Sequence, residues 1–419
     1  MENEVKKMLV LGGGRHQTGL ISYAIDNGIE VILSDYLQES PGHKIATKSY
    51  LTSTLDFSAN IDHARNHSVN GVLTTGTDQP LLIMADICEE LGLKSYLTPE
   101  SSRNCTNKRR MFLCLSDINI PKYRIFDANQ SVEINFEEFE FPIIVKPFDS
   151  QGQRGISIIQ AESEFNNAVK RAKSKSNDVS VIVQEYLQGP EMTISAWVHN
   201  GDIRILLITD RLTYNKDKAV GVCLQHVYPS KHIVGLELEA EEMTQKIAKA
   251  YNLENGPIYI QFLKARGKLF LVEATCRIGG GHEDRLIETV TGVNIYPHLI
   301  NLGLSGTSEE FEFSNRFPVQ GVYSMVCFIV AKEGTLYKQF IEEDNVKGYG
   351  YKEGGFYYDD GHVQKEIANS MGRIGYFICT GSSREELDKN AMAIYSKFKA
   401  KDKYGVDLVF WPNDNFLNQ

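Results

Sequence analysis

The stretch "IYIQFLKARGKLFLVEATCR" carries Gln261 and Glu273 on either side of a short connection. Read as two strands joined by the three-residue loop Ala265 to Gly267, it sets Lys264 opposite Lys268 and Gln261 opposite Leu271, diagonal to Glu273. Diagonal cross-strand neighbours lie roughly 7–8 Å apart. Two oxygen-bearing side chains at that spacing can share magnesium ions that also take phosphate oxygens. The alternative is a carboxylate on a half-exposed strand. Glu273 follows the apolar "LFLV" and precedes "ATCRIGGG", which favours a ligand over a merely solvated charge.

Phosphate chemistry is also legible in "IIVKPFDSQGQRGISII". Lys146 ends a hydrophobic strand, and Gly152 and Gly155 follow in a polar loop. A lysine in that place can neutralise a polyphosphate while loop N–H groups approach its oxygens. The Gly-Lys-Ser/Thr run of a Walker loop is missing, and an exposed lysine beside a hairpin loop is the competing reading. In "SVIVQEYLQGPEMTISAW" a polar connector between two strands can offer backbone N–H and C=O groups to an adenine edge, with Glu185 accepting from the exocyclic amine; a solvated strand-end charge is the alternative. In "RIGGGHEDRL", Gly279, Gly280 and Gly281 can turn N–H groups toward an anion at the start of a helix. A tight connection without a ligand stands beside that reading. His282 and His226 are candidates for lining the same pocket, or hydrogen-bonded structural histidines.

The elements that must position these residues divide into three textures. The first hundred residues alternate apolar runs ("KMLVLGG", "EVILSD", "GVLTTG") with amphipathic helical stretches, which implies a parallel sheet wrapped by helices. Thr98-Pro99 reads as a helix start, a second helix begins near Lys108, and a strand is entered through Pro121. From about Phe141 longer hairpin strands define an α+β region, with Asn200-Gly201 as a two-residue turn. A last segment from about Glu310 ends in a helix capped by Ser382-x-x-Glu385. Near the start, "VLGGGRHQTGL" has the strand, glycine and helix order of a nucleotide turn, and Asp35 after "VIL" imitates a ribose-binding acid. Its GGG-x4-G spacing departs from G-x-G-x-x-G, leaving a dinucleotide-dependent oxidoreductase as a minor alternative.

Composition narrows the classes. The chain has 419 residues, 42% hydrophobic and 23% charged, enough for two or three domains. A formal net charge of -10 opposes nonspecific attraction to nucleic acid or anionic membranes, so neither is expected as a partner. The seven cysteines are scattered and never form CxxC, against a disulfide framework or structural zinc. The charged start "MENEVKKMLV" and the lack of a long apolar run lead to a cytoplasmic expectation.

Taken in order, Lys108 before a helix, Lys146 with its glycine loop, "QEYLQGPE", the Gln261/Glu273 hairpin and "EATCRIGGG" resemble the ATP-grasp superfamily. The resemblance covers essentially the whole chain and is strongest from about Phe141 to Leu299. It implies a mixed α/β and α+β chain: a Rossmann-like pre-ATP-grasp domain (1–105), a two-lobed ATP-grasp domain (106–309) and a smaller C-terminal domain completing the grasp fold (310–419). It further implies an ADP-forming carboxylate–amine ligase that uses ATP and Mg²⁺, or Mn²⁺ in its place, on a small acid such as an amino acid. Lys108, Lys146, Gly152 and Gly155 would meet the ATP phosphates. Glu185 with the Tyr186 and Leu187 backbone would meet adenine, and Glu191 the ribose. Gln261, Glu273 and, as a weaker ligand, Thr275 would hold the metal. Arg277 would stabilise charge on the transferred phosphoryl group, and Gly279 to His282 with His226 would face substrate.

Two departures stand out. The family commonly has glutamate at the place of Gln261 and asparagine at that of Thr275. Open alternatives are a carboxyphosphate-forming enzyme similar to biotin carboxylase or one half of carbamoyl phosphate synthetase, and a non-catalytic nucleotide-binding protein. The expected partners are a small carboxylate and an amine, with a homodimer as an open arrangement.

Overall fold

The computed structural model describes residues 5–127, 134–148, 155–175, 180–216, 219–307, 321–342 and 346–411. The first apolar runs form four parallel strands, β1 (Lys7–Leu11), β2 (Glu30–Asp35), β3 (Lys48–Leu51) and β4 (Gly71–Leu73), in the order β3-β2-β1-β4. The unbroken "MLVL" and "VIL" runs exist because β1 and β2 are covered on both faces. The intervening helices are α1 (Arg15–Asp26), α2 (Gly42–Ile45), α3 (Phe57–His67) and α4 (Pro80–Leu91). As the sequence indicates, Pro99 opens α5 (Pro99–Thr106), capped by the Thr98 hydroxyl on the Ser101 N–H. Lys108 opens α6 (Lys108–Cys114), capped by Asn107.

A second, antiparallel sheet has the order β5-β8-β6-β7, built from β5 (Tyr123–Asp127), β6 (Ile143–Pro147), β7 (Ser157–Ile159) and β8 (Ser180–Glu185). The helix α7 (Phe165–Lys173) packs Phe165, Ala168 and Val169 against Ile143, Val145 and Val181 of this sheet.

The largest sheet has eight strands, all neighbours antiparallel: β13-β12-β9-β10-β11-β14-β19-β17. Its strands are β9 (Glu191–His199), β10 (Asp202–Lys216), β11 (Ala219–Tyr228), β12 (Asn255–Ala265), β13 (Lys268–Thr275), β14 (Tyr323–Val330), β17 (Tyr351–Phe356) and β19 (Arg373–Gly381). Short pairs join β15 (Gly334–Leu336) to β18 (His362–Gln364) and β16 (Lys338–Ile341) to β20 (Phe398–Lys401). The helices α8 (Glu237–Ala250), α9 (Glu283–Thr291), α10 (Tyr296–Ser305) and α11 (Arg384–Tyr395) complete the order. The last segment adds strands to this sheet, since β14 pairs with β11 at Cys327 and Gln225. One apolar core runs from Met8 and Leu73 to Ile194, Ile260 and Leu299.

Two local expectations shift by one residue. The Asn200-Gly201 turn forms as expected, with His199 opposite Asp202. The second hairpin, however, also turns in two residues: Ala265 pairs with Lys268, and Arg266 and Gly267 have φ of 51° and 72°, as a type I′ turn requires. Helix α11 is capped by Ser383, which accepts from the Glu386 N–H, whereas Ser382 is bound by the Glu386 carboxylate. Both serines have a glutamate three residues on, so the sequence pattern fits either frame. Among the described residues no helix is long and apolar enough to cross a membrane.

Candidate active site

The hairpin register changes how Gln261 and Glu273 meet. Phe262 pairs with Leu271 and Gln261 with Glu273, so Val272 is an extra residue between them, a β-bulge. In regular pairing Gln261 would oppose Val272, and Glu273 would point to the other face. The bulge thus puts both side chains on one face, directly opposed rather than diagonal. Thr275, two residues further, shares that face. The Gln261 amide N–H donates to Glu191 at 2.7 Å, which turns its carbonyl oxygen away from that contact. The Thr275 hydroxyl is buried and lacks a hydrogen-bond partner among the described residues. No group of three His, Cys, Asp or Glu side chains that could hold a metal forms among the described residues. A sparse oxygen set with one orphaned hydroxyl fits Mg²⁺, which keeps waters and phosphate oxygens and takes only one or two protein carboxylates.

Lys146 lies on β6 with its ammonium donating to the Gln184 side chain at 2.7 Å and resting 6.0 Å from the Phe112 ring centroid. Burial, with help from the Lys108 charge, lowers its pKa to about 7 against an opposing pull from Glu273. Lys108, Lys146 and Glu273 are therefore electrostatic neighbours, although they come from α6, β6 and β13. Gln184 is fixed in turn by the Pro121 carbonyl at 3.4 Å. Gly155 has φ of +80°, and a Cβ there would lie 2.8 Å from Pro147, so the turn back into β7 needs glycine. Gly152 lies outside the described residues.

The connector from Tyr186 to Pro190 runs beside the hairpin. Leu187 packs with Leu263 and Ala265, and a Cβ on Gly189 would stand 1.9 Å from the Lys264 carbonyl oxygen. Glu185 accepts from the Lys122 N–H at 2.8 Å and pairs with Arg266 at 3.1 Å. Burial raises the pKa of Tyr186. Glu191, the expected ribose contact, has one oxygen shared by Arg211 at 2.5 Å and Gln261.

Arg277 is buried and ion-paired with Asp78, Nε to Oδ1 at 2.5 Å. Burial lowers its pKa, but Asp78 more than offsets this and raises it above the ordinary value. The guanidinium also donates to the Ile278 carbonyl and lies 5.1 Å from the Tyr259 ring centroid. Asp78 follows β4, so the first unit supplies the acid that orients the arginine. The glycine run packs against that unit too, because a Cβ on Gly280 would lie 2.4 Å from the Gly76 carbonyl oxygen. Gly279 and Gly281 lie against the Glu283 side chain, and the Gly281 N–H donates to its carboxylate. The anion on this N–H is thus the first residue of α9.

His226 and His282 occupy distinct settings. His226 Nε2 lies 3.2 Å from Glu283 Oε1 and 3.3 Å from Cys223 Sγ, so the two neighbours compete for one ring nitrogen. Burial opposes charge on His226, yet Cys223 and Glu283 raise its pKa overall. Burial also opposes charge on Cys223 and Glu283, but His226 together with Arg211 at the thiol, and with backbone N–H bonds and Arg277 at the carboxylate, outweighs it and both pKa values fall. Leu224 is extra in the β10–β11 pairing, where Leu212 meets Gln225 and Thr213 meets Cys223; this second bulge brings Cys223 onto the face of His226. His282 donates or accepts at Tyr357 Oη (2.7 Å) and stacks on Tyr376 at 3.5 Å. Burial, then His16 and Arg373, push its pKa well below the ordinary value.

The glycine turn after β1 is closed by its own acid. Asp35 accepts from the Gly13 N–H at 2.7 Å and the Ser40 hydroxyl at 3.0 Å, and with its other oxygen from the Leu37 N–H at 2.8 Å. Both the turn N–H and the buried carboxylate are engaged, which argues against a dinucleotide there. Sequence reasoning missed Gln184, Asp78 and the group formed by Arg15, His16, Tyr357 and Arg373. Arg15 and His16 stand inside the quoted "GGGRHQTGL", where the glycines drew the reading; nothing local marks the others.

With this geometry in view, residues 139–283 match the ATP-grasp domain family. The matched stretch contains Lys146, Gln184, Glu191, Gln261, Glu273 and Arg277. Over 214 residues the chain is 27% identical to the formate-dependent phosphoribosylglycinamide formyltransferase of Methanocaldococcus jannaschii, 49% of this chain and 51% of that protein. The chain thus spans about half the length of this curated relative. The fold is shared with the L-amino acid ligase of Bacillus licheniformis (TM-score 0.79, 18% identity, covering 97% of this chain and 99% of that one). It is also shared with phosphoribosylglycinamide synthetase of Anaerococcus prevotii (0.75, 20%, covering 95% and 100%). A third is the biotin carboxylase domain of the Hydrogenobacter thermophilus 2-oxoglutarate carboxylase, solved with MgADP and bicarbonate (0.75, 19%, covering 94% and 90%).

Proposed function

We propose that the protein is an ATP- and Mg²⁺-dependent ligase that activates a small carboxylate as an acyl phosphate and joins it to an amine, releasing ADP and phosphate. The observation that carries this reading is the bulged hairpin, which turns Gln261, Glu273 and Thr275 to one face while Glu273 also acts electrostatically on Lys146 and Arg277. Division into residues 1–105, 106–309 and 310–419 suits it, with the first unit orienting Arg277 through Asp78.

Mg²⁺ held by Glu273, the Gln261 carbonyl and Thr275 would neutralise phosphate charge. Lys146 and Lys108 add cationic partners for the phosphates, and Gln184 keeps the Lys146 ammonium in place. The Tyr186–Pro190 connector offers backbone groups to adenine. Arg277, held by Asp78, meets the negative charge that builds on the transferred phosphoryl and acyl oxygens; such fixed charge does most of the work in phosphoryl transfer. The acid oxygen attacks the γ-phosphorus, ADP leaves, and the amine nitrogen then displaces phosphate from the acyl carbon.

Purified protein with Mg·ATP, screened against single amino acids, amino-acid pairs and bicarbonate, tests this. ADP formation that requires both an acid and an amine supports the ligase. ADP formed with bicarbonate alone points to carboxyphosphate chemistry, and AMP as product rejects both.

A further inference from the structure

Next to Arg277 lies a group of cations that the reaction above does not use. Arg15, the first residue of α1, places its guanidinium carbon 4.8 Å from the Tyr357 ring centroid and 5.4 Å from that of Tyr358. Arg373, the first residue of β19, lies 4.0 Å over Phe328 and donates to the Ser370 carbonyl. The two are linked by rings: Tyr357 Oη binds His282, and His282 lies 6.1 Å from Phe328. His16 joins the group from the α1 side, its Cβ meeting the space above Gly76, which itself touches Gly280.

The acids nearby have partners of their own. Glu283 holds His226, Asp78 holds Arg277, Glu353 holds Arg285, and Asp284 accepts from Tyr296. Asp359, exposed, acts on Arg15 only through its charge and forms no ion pair with it among the described residues. Among the described residues neither Arg15 nor Arg373 makes a direct ion pair with a carboxylate, and Asp359 acts on Arg15 from further off. Guanidiniums that lie on ring faces keep N–H groups directed outward for a planar oxyanion. Burial chiefly, and then the charges of Arg373, Arg277 and Arg15 against an opposing pull from Glu283, hold His16 down to about 4. Three units of the chain, at α1, the turn after β13, and β19, supply these arginines.

We propose that the acid activated at this site carries a second anionic group, a carboxylate or a phosphoryl, received by Arg15 and Arg373 across the Tyr357, His282 and Phe328 rings. This rests on the ligase reading of the same site. Arg277 attends the reacting carboxylate, and the other two arginines select the far end of the acid.

The test uses pairs that differ in the second anionic group: L-glutamate with L-glutamine, succinate with butyrate, and 3-phosphoglycerate with glycerate. Calorimetric binding in the presence of Mg·ADP is measured first, then ADP release with an amine panel. At least one dianion is expected to bind roughly tenfold or more tighter than its partner, the carboxylate and phosphoryl pairs telling the two sources apart. Arg15→Met and Arg373→Met should each abolish that preference and raise KM for the dianion roughly tenfold while leaving KM for ATP within about twofold. Arg→Lys variants at both positions should recover part of the preference, which a misfolded protein could not do. Equal affinity within every pair, no binding by any member, or an unchanged preference in both Met variants overturns the inference. Dianion binding that depends on Arg15 and Arg373 without ADP release upholds the anion-receiving role of the two arginines and rejects the ligase reading on which its link to activation rests.

Discussion

Glu273 stands directly opposite Gln261 because Val272 is an additional residue in β13. Without that bulge the carboxylate would face away from the amide, and no oxygen pair would form on the face shared with Thr275. A single irregularity in the ladder therefore assembles the candidate metal face, and its position next to the site agrees with the usual placement of bulges.

Replacing Glu273 by Gln should lower ADP release on the order of 100-fold or more. Its side chain is only half-buried, so the unfolding free energy should change by less than about 1 kcal/mol. Steady-state rates together with a urea midpoint check both parts. Wild-type turnover in the variant would remove Glu273 from the metal face.

Lys146 should make nucleotide binding pH-dependent. Its pKa is lowered by burial to about 7 from an ordinary 10.5, and only the ammonium form attracts phosphates. ATP affinity should therefore fall as pH rises above about 7, with a proton taken up on binding. Calorimetry near pH 8 in buffers of different ionisation enthalpy should show uptake that Lys146→Met abolishes. The stability sign follows the same logic: the unfolded chain binds this proton more tightly, so the Lys146 contribution to stability rises with pH from about 7 to 10.5. Buffer-independent heats in the wild type would contradict the placement of this lysine among the phosphates.

Asp78 and Arg277 are both buried. Asp78→Ala leaves an uncompensated guanidinium and should cost about 3–5 kcal/mol of stability. The milder Asp78→Asn keeps a hydrogen-bond acceptor and should lower kcat more than it changes KM for ATP, as expected of a group that positions Arg277. A larger effect on KM than on kcat would assign Asp78 to nucleotide binding instead.

The His226–Glu283 pair has a defined pH window. The pKa of His226 is raised from 6.5, so its stabilisation is fully present below 6.5 and lost as pH climbs through the raised value. That of Glu283 is lowered from 4.5, so its stabilisation is present above 4.5 and lost as pH falls through the lowered value. The difference in thermal midpoint between wild type and His226→Gln should be greatest between pH 4.5 and 6.5. A difference that does not vary with pH would mean that the histidine is held neutral.

The parallel sheet was legible because strands covered on both faces must be continuously apolar, and "MLVL" and "VIL" meet that demand. Lys146, Glu273 and Arg277 stand out as candidates in the sequence because each lies within or just past the last residues of an apolar run that leads into glycines. The turn between β12 and β13 is one residue shorter than the Ala265 to Gly267 loop that the sequence suggests, since Arg266 adopts the positive φ that the sequence more readily assigns to Gly267 alone. The bulge at Val272 has no sequence signal of its own, yet it corrects the facing that the wrong register had obtained by another route. Asp78 lies 199 residues from Arg277 and Tyr357 lies 75 from His282, so only the folded chain brings those partners together.

The most direct measurement follows the oxygen atoms. With the acid labelled by oxygen-18 in its carboxylate, and Mg·ATP and the amine present, the phosphate released should carry one labelled oxygen while ADP carries none. That pattern requires the carboxylate oxygen to have attacked the γ-phosphorus. Product formed with unlabelled phosphate, or with label in AMP, would contradict acyl phosphate formation at this site.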